Sequence, residues 1–522
     1  MEKIISKYTK NEGLVDFAAT KELIAEVDKI AEARKQEILN YDAEISVPGT
    51  IYYVSNNGDD NNDGLSPETP WQTVKKVNDT PFKEGDAVLF ERGGLFRGMV
   101  ICNSHITYSA YGKGPKPIIT CSPENGSGKE KWSLLEGTDN IWVYYKELPE
   151  TGLIVFNDGE DYSIKKVPSY INGKYVVRHQ TDVDFDVRKH MHVNLAHFSE
   201  HKVINEKRGV PDISPENVCP LYLRCDEGNP GEIYNSIEFA IRDHGFRVPG
   251  APNVTIDNVA VKYVGGHGIA SGSCRNLTIR NCEFGWIGGT VQYYRDQDGT
   301  PRQGEVVRFG NAIEIYGGCV NYTCDHNYIY QVFDAGVTHQ YGGGEWDCKQ
   351  KNVKYINNLI EYCTYSIEYF LGRATVPDSL RFQRDIYIEN NILRFSGFGF
   401  GEQRPEYDGP AAHIKGWDSY NPLDENSFVR NNIFDRGRHM LIHVGATQQH
   451  WLPTYDNNIY IQYLGEKTSS LGRYGKTPTT RTPFTENIRE VMTEMNLDAN
   501  AGIYFAERDE LYDLPDFMPY KD

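Results

Sequence analysis

At 522 residues the chain is too long for one ordinary compact core, and a formal charge of −19 argues against nucleic acid or an anionic membrane surface as partner. No run of about 18 apolar residues offers a membrane span, and the opening MEKIISKYTKNEGLVDF lacks the apolar stretch and small-residue cleavage site of a secretory signal. The 10 cysteines, with no CxxC pair, then read as reduced thiols of a cytoplasmic protein without a structural zinc site.

Residues 19–40, ATKELIAEVDKIAEARKQEILN, carry Leu23, Ile24, Val27, Ile30 and Ile38 at helical spacing and predict one amphipathic helix within an N-terminal helical cap over 1–49. From Ile51 the period drops to two. IYYVS, GDAVLFERGG, HITYSAYG and KPIITC are short strands separated by Gly, Asn and Pro, and they fill 50–121. Within them the acidic run DDNNDG at 59–64 has the look of a calcium loop. It lacks the twelfth-position glutamate of an EF-hand and reads as a turn. Residues 122–252, with WSLLEGTDNIWVYY, DVDFDVRKHMHVN and a Pro-rich run, predict a β-rich insertion and a return to the main pattern.

Between 253 and 465 seven segments repeat one pattern, an apolar alternation, an Asn and a second apolar alternation: NVTIDNVAV, NLTIRNCEF, NYTCDHNYI, NVKYINNLI, DIYIENNIL, SFVRNNIFD and PTYDNNIYI. The shared Asn falls at 258, 281, 327, 358, 391, 432 and 458. Asn tolerates left-handed backbone geometry and bonds its own turn, and amides stacked at one corner can also bond one another. A repeat that contacts only its neighbours escapes the size limit of a compact core. After 465 the chain carries a short helical stretch, TENIREVMTEMN, and 466–522 is expected to cap the open end, where strand edges need cover.

This pattern resembles the right-handed parallel β-helix proteins of the pectate-lyase-like superfamily, which bear an asparagine ladder at one corner. YYVSNNGDDNNDGLSPETPWQTVKKVN, followed by GDAVLFERGGLFRG, is similar to the first coil of many bacterial carbohydrate-active members, as is LYLRCDEGNPGEIYNSIEFA at 221–240. The resemblance implies an all-β fold. That fold is a right-handed parallel β-helix with an N-terminal amphipathic helix, a β-rich insertion and a C-terminal cap. It does not fix chemistry, because the superfamily includes glycoside hydrolases, lyases, epimerases and phage tailspikes.

Aligning the strands after each corner on Ile269, Ile313, Val337, Ile367, Ile414 and Ile442 makes the next residue of each an outward column: Ala270, Glu314, Thr338, Glu368, Lys415 and His443. Two residues on, a second column reads Gly272, Tyr316, Gln340, Phe370, Trp417 and Gly445. A one-residue slip would put His413 in the place of Lys415. Glu314 and Glu368 lie two rungs apart, ~9.6 Å at the backbone, compatible with the carboxyl pair of either a retaining or an inverting glycosidase. They are the expected catalytic residues. Tyr316, His339, Gln340, Tyr369, Lys415, Trp417 and His443 are the expected sugar contacts, and the 35 Tyr and 7 Trp of the chain offer the flat faces that sugars use. The loop FGFGEQRPEYDGP at 398–410 would overhang the same groove, adding Glu402 and Asp408.

A glycoside hydrolase acting on oligosaccharides, with no cofactor or metal, is the first reading. A polysaccharide lyase with Lys415 or His443 as base is the second, although the net negative charge repels uronates and no compact Asp cluster suggests a calcium site. A non-catalytic glycan-binding β-helix is the third. The oligomeric state stays open.

Overall fold

The computed structural model describes residues 1–342, 348–372, 375, 377, 380–403, 410–417, 426–465, 469–476 and 480–512. Strand dominates. The largest unit is a 27-stranded system of mostly parallel pairings, in which each stretch of chain contributes strands that stack on those of the next. Three rows of strands run through it. The first includes Val254–Asp257, Cys319–Asp325, Cys348–Ile356 and Arg381–Glu389. The second includes Ala260–Val264, Glu283–Ile287 and Ile392–Arg394. The third includes Phe246–Pro249, Ile313–Ile315, Ala412–Trp417 and Met440–Ala446. Apolar residues stack in register along the inside, as in Ile269, Ile313, Val337, Ile367, Ile414 and Ile442 of the third row, all fully buried. The rungs resume at Phe246, where Phe246–Pro249 pairs in parallel with both Val100–Ile101 and Ile269–Arg280.

The corner between the first and second rows carries the asparagine ladder. Asn327, Asn358, Asn391 and Asn432 each donate from the side-chain amide to the amide oxygen of the next member, ending at Asn458, at 3.0–3.1 Å. Each amide oxygen also accepts the backbone N–H of the preceding member. Asp498 closes the far end, accepting from the Asn458 amide at 2.7 Å. Two expected members stand elsewhere. Asn258 and Asn281 occupy the left-handed position one residue earlier, in line with His326, Asn357 and Asn390, and Cys282 takes the ladder position of its rung, its N–H bonding Asn327. A second ladder, on the surface at the corner between the third and first rows, links Asn253, Asn276, Asn321 and Asn352 at 2.6–2.8 Å. It had a sequence signal, since an Asn opens each of those four repeats.

The helix Phe17–Leu39 starts at Asp16, whose carboxylate accepts the Ala19 N–H. Instead of capping an end, it lies along the outer face of the second row, where Leu23, Val27, Ala31 and Ile38 meet Tyr328, Leu359, Ile392, Ile433 and Ile459. The helix Ile488–Glu494 places Ile488, Met492 and the following Leu497 in the main core. At 59–64 the carboxylates are spent on the chain itself, with Asp60 accepting from the backbone of Gln72 and Thr73. Between Cys121 and Phe246 the chain leaves the rungs and builds small sheets. One of these pairs Thr151–Phe156 with Ile237–Ile241 and packs Leu153, Val155 and Ala240 against Tyr263, Trp286 and Phe333. The hairpin of Thr290–Tyr294 and Val306–Phe309 is a separate two-stranded sheet, and the insertion packs on the second row through Tyr263 and Trp286. Among the described residues, no helix is long and apolar enough to cross a membrane.

Replacing Asn391 by Ala leaves the buried Asn358 N–H without its acceptor and removes the amide's bonds to the Asn432 and Tyr355 oxygens. A loss of about 3 kcal/mol or more is expected, read as a lowered guanidinium midpoint. A change under about 0.5 kcal/mol, the range of ordinary surface substitutions, would show that the ladder does not carry the stack.

Candidate active site

The third row gives the expected column its partners. Arg247 pairs with Ala270, Ala270 with Glu314, Thr338 with Glu368, Glu368 with Lys415, Lys415 with His443, and His443 with Arg473. Lys415, not His413, stands beside Glu368. His413 is fully buried on the inside, bonded to Ser366.

Glu314 is 5 % exposed. Its Oε2 accepts three bonds, from Asn311 Nδ2 at 2.6 Å, Thr338 Oγ1 at 2.6 Å and Gln340 Nε2 at 2.8 Å, while among the described residues Oε1 receives only the shared Gln340 amide at 2.9 Å. The donors are themselves fixed. Asn311 Oδ1 accepts the Ala335 N–H, which turns its amino group toward Glu314, and Thr338 Oγ1 accepts the Ile315 N–H while its hydroxyl proton goes to Glu314. Burial pushes the Glu314 carboxyl up to about 7 against the opposing pull of these donors, with the Asp334 carboxylate adding to the rise.

Glu368, equally buried, has a cation instead. Lys415 Nζ lies 2.8 Å from its Oε1 and 4.1 Å from the centre of the Tyr365 ring. His443 is pushed down to about 3 by burial and by the charges of Lys415, Arg473 and Arg481, and is therefore an uncharged ring. The same residue type thus sits two rungs apart in two environments, one dressed by neutral donors and one by an ammonium.

The other expected residues divide. Tyr316 is 48 % exposed, its ring edge against Tyr341, and Gln340 touches Glu314 directly. His339 and Tyr369 point the opposite way. The alternation of the strand turns both into the core, where their rings stack at 5.7 Å and His339 Nδ1 meets the Tyr355 hydroxyl at 2.7 Å. Neither can contact a groove ligand. Glu402 is held by Arg438 at 2.6 Å. Asp408 lies outside the described residues, as does the side chain of Trp417. Sequence reasoning passed over Asn311, His267 and His244, which stand two residues before the inward position of their rungs.

No family model matches the chain. A lacto-N-biosidase from Bifidobacterium longum subsp. longum is 38% identical over 96 residues, 16% of this chain, and the chain spans 6% of the length of that relative. Among solved structures, XylC in complex with xylose aligns with a TM-score of 0.40 at 12% identity, over 80% of this chain and 68% of that one. The GH136 lacto-N-biosidase from Eubacterium ramulus aligns with a TM-score of 0.34 at 12% identity, over 94% and 70%.

Because the folded chain holds the Glu314 proton more tightly than an unfolded glutamate with its value of 4.5, this group costs the fold stability as pH rises from about 4.5 to about 7. The cost is about 3 kcal/mol in all. Carboxyl carbon shifts of glutamate-labelled protein are expected to show one group with a midpoint near 7 that vanishes in Glu314→Gln. A set of midpoints confined to the ordinary range would contradict the site as described.

Proposed function

We propose that the chain is a glycoside hydrolase built on a right-handed parallel β-helix, cleaving oligosaccharides with Glu314 and Glu368 as its carboxyl pair. The observation that carries this reading is the divergence of the two glutamates on one outward column. Glycosidic bond cleavage needs one carboxyl that still holds a proton and one that is ionised. Glu314 is suited to the first role and Glu368, ion-paired to Lys415, to the second.

The hydrogen bonds specify which oxygen delivers the proton. Oε2 of Glu314 is filled by three donors, so an added proton belongs on Oε1. Oε1–H then protonates the departing glycosidic oxygen as its bond to the anomeric carbon breaks. Glu368 meets the positive charge growing at that carbon, either by attacking it or by drawing a proton from the water that does. Lys415 is salt-linked to Glu368, which suits it to steadying a carboxylate and not to the base role of an elimination. The short match to a lacto-N-biosidase supports a sugar substrate.

Incubation with a panel of neutral oligosaccharides is expected to release new reducing ends with no absorbance from a conjugated double bond. Glu314→Gln and Glu368→Gln should each lower kcat by about 100- to 10,000-fold. Turnover that survives both substitutions would refute the pair, and rising absorbance with cleavage would assign the chain to the lyases.

A further inference from the structure

Just upstream of Glu314 a regular device repeats on three rungs. His244 Nδ1 accepts the backbone N–H of His267 at 2.9 Å, His267 Nδ1 accepts that of Asn311 at 3.0 Å, and Asn311 Oδ1 accepts that of Ala335 at 2.7 Å. Each side chain lies over the start of its strand and bonds the equivalent residue of the next rung. Asn311 also reaches Glu314, three residues on, so this series shares the outer face with the catalytic column.

An imidazole that accepts a hydrogen bond at Nδ1 carries its proton at Nε2. Both histidines are therefore Nε2–H donors. Their rings stack at 5.3 Å and 11°, and both are half-buried. Burial pushes His244 down to about 3 and His267 to about 4, so the pair is uncharged at ordinary pH.

By the pattern of Asn311 and Glu314, the position facing His267 on its own strand is Ala270, and the next outward one is Gly272. Both are small. Ala270 is half-exposed, and a carbon added at Gly272 would meet nothing within 4 Å. One rung further, the matching positions carry Glu314 and the exposed Tyr316. A hollow therefore opens over Ala270 and Gly272, with the carboxyl and the tyrosine ring along one side and two imidazole N–H donors at its edge.

We propose that this hollow is a subsite for one neutral sugar ring of the substrate, seated over Ala270 and Gly272, with His244 and His267 donating from Nε2 to its hydroxyl oxygens. The inference rests on the hydrolase reading for its place beside the scissile bond, but the binding itself can be observed without turnover. Two uncharged imidazole donors suit hydroxyls. The apolar floor and the Tyr316 ring suit the C–H face of a pyranose.

The test uses the full chain with nitrogen-labelled histidine, in the Glu314→Gln variant so that the probe stays intact. Lactose, cellobiose and xylobiose are titrated in turn, with galacturonic acid as the charged comparison. At least one neutral disaccharide is expected to shift the Nε2 signals of His244 and His267 saturably. Galacturonic acid should leave them in place, and Ala270→Leu should weaken the response at least tenfold without moving the signals of the free protein. In the wild-type background, Ala270→Leu and His267→Gln should raise KM for a cleaved oligosaccharide more than they lower kcat. Rings that ignore all three disaccharides, or that answer only to galacturonic acid, overturn the subsite. Ring shifts in a chain whose wild type cleaves nothing keep the subsite and reject the hydrolase reading. Glu314-dependent turnover with unmoved rings does the reverse.

Discussion

Everything at the candidate site depends on the register of one rung against the next. In a parallel stack a slip of one residue sends each outward side chain inside, so the chemistry of the outer column is only as well defined as the register. The asparagine ladder is the device that holds it. An amide both donates and accepts, so each member passes a hydrogen bond to its neighbour and also binds that neighbour's backbone, and a slipped rung would bury several unsatisfied groups. Asp498 takes the last amide of the ladder, and at the left-handed corner of an earlier rung Lys116 and Arg92 both donate to Asn258.

With register fixed, neighbouring rungs decide how each carboxyl behaves. Thr338 lies between the two glutamates, small enough to leave room and polar enough to serve Glu314. Glu368 has a lysine on its far side. Coulomb attraction between buried groups is little screened, so the ammonium of Lys415 gives Glu368 an environment unlike the neutral donors around Glu314. The insertion packs beside Phe333, and Arg308 of the 290–309 hairpin lies over the same ring.

Much of the fold was legible because a period of two and a repeated Asn survive in a single sequence. The outward column was legible for the same reason, since alternation alone fixes which side chains share a face. The ladder was read one residue out at its first two rungs because Asn serves two adjacent positions there, the left-handed corner and the ladder proper. Asn258 and Asn281 belong to the first kind. His339 and Tyr369 were placed in the groove by their chemistry, against an alternation that turns them inward. Nothing local in the sequence shows that Glu314 is buried, since its burial comes from packing between segments distant in the chain. His244 and His267 escaped notice because they precede the aligned strands, at a corner where periodicity gives no guidance. The helix Phe17–Leu39 shows the limit of amphipathic reading. Its apolar stripe predicted that it would pack, but the surface it covers is set by the outward apolar residues of five separate rungs.

The central claim is that Glu314 acts with a proton still bound while Glu368 acts without one. The most direct measurement is the pH dependence of kcat/KM on a cleaved oligosaccharide, which reports the essential groups of the free enzyme. The expected profile falls on the alkaline side with a midpoint near 7, the value that burial gives Glu314. That limb should move upward when Thr338→Val removes one of the hydroxyl and amide donors that stabilise the ionised form. A profile level through pH 7 in the wild type, or a limb that stays fixed when Thr338 is replaced, would contradict the account.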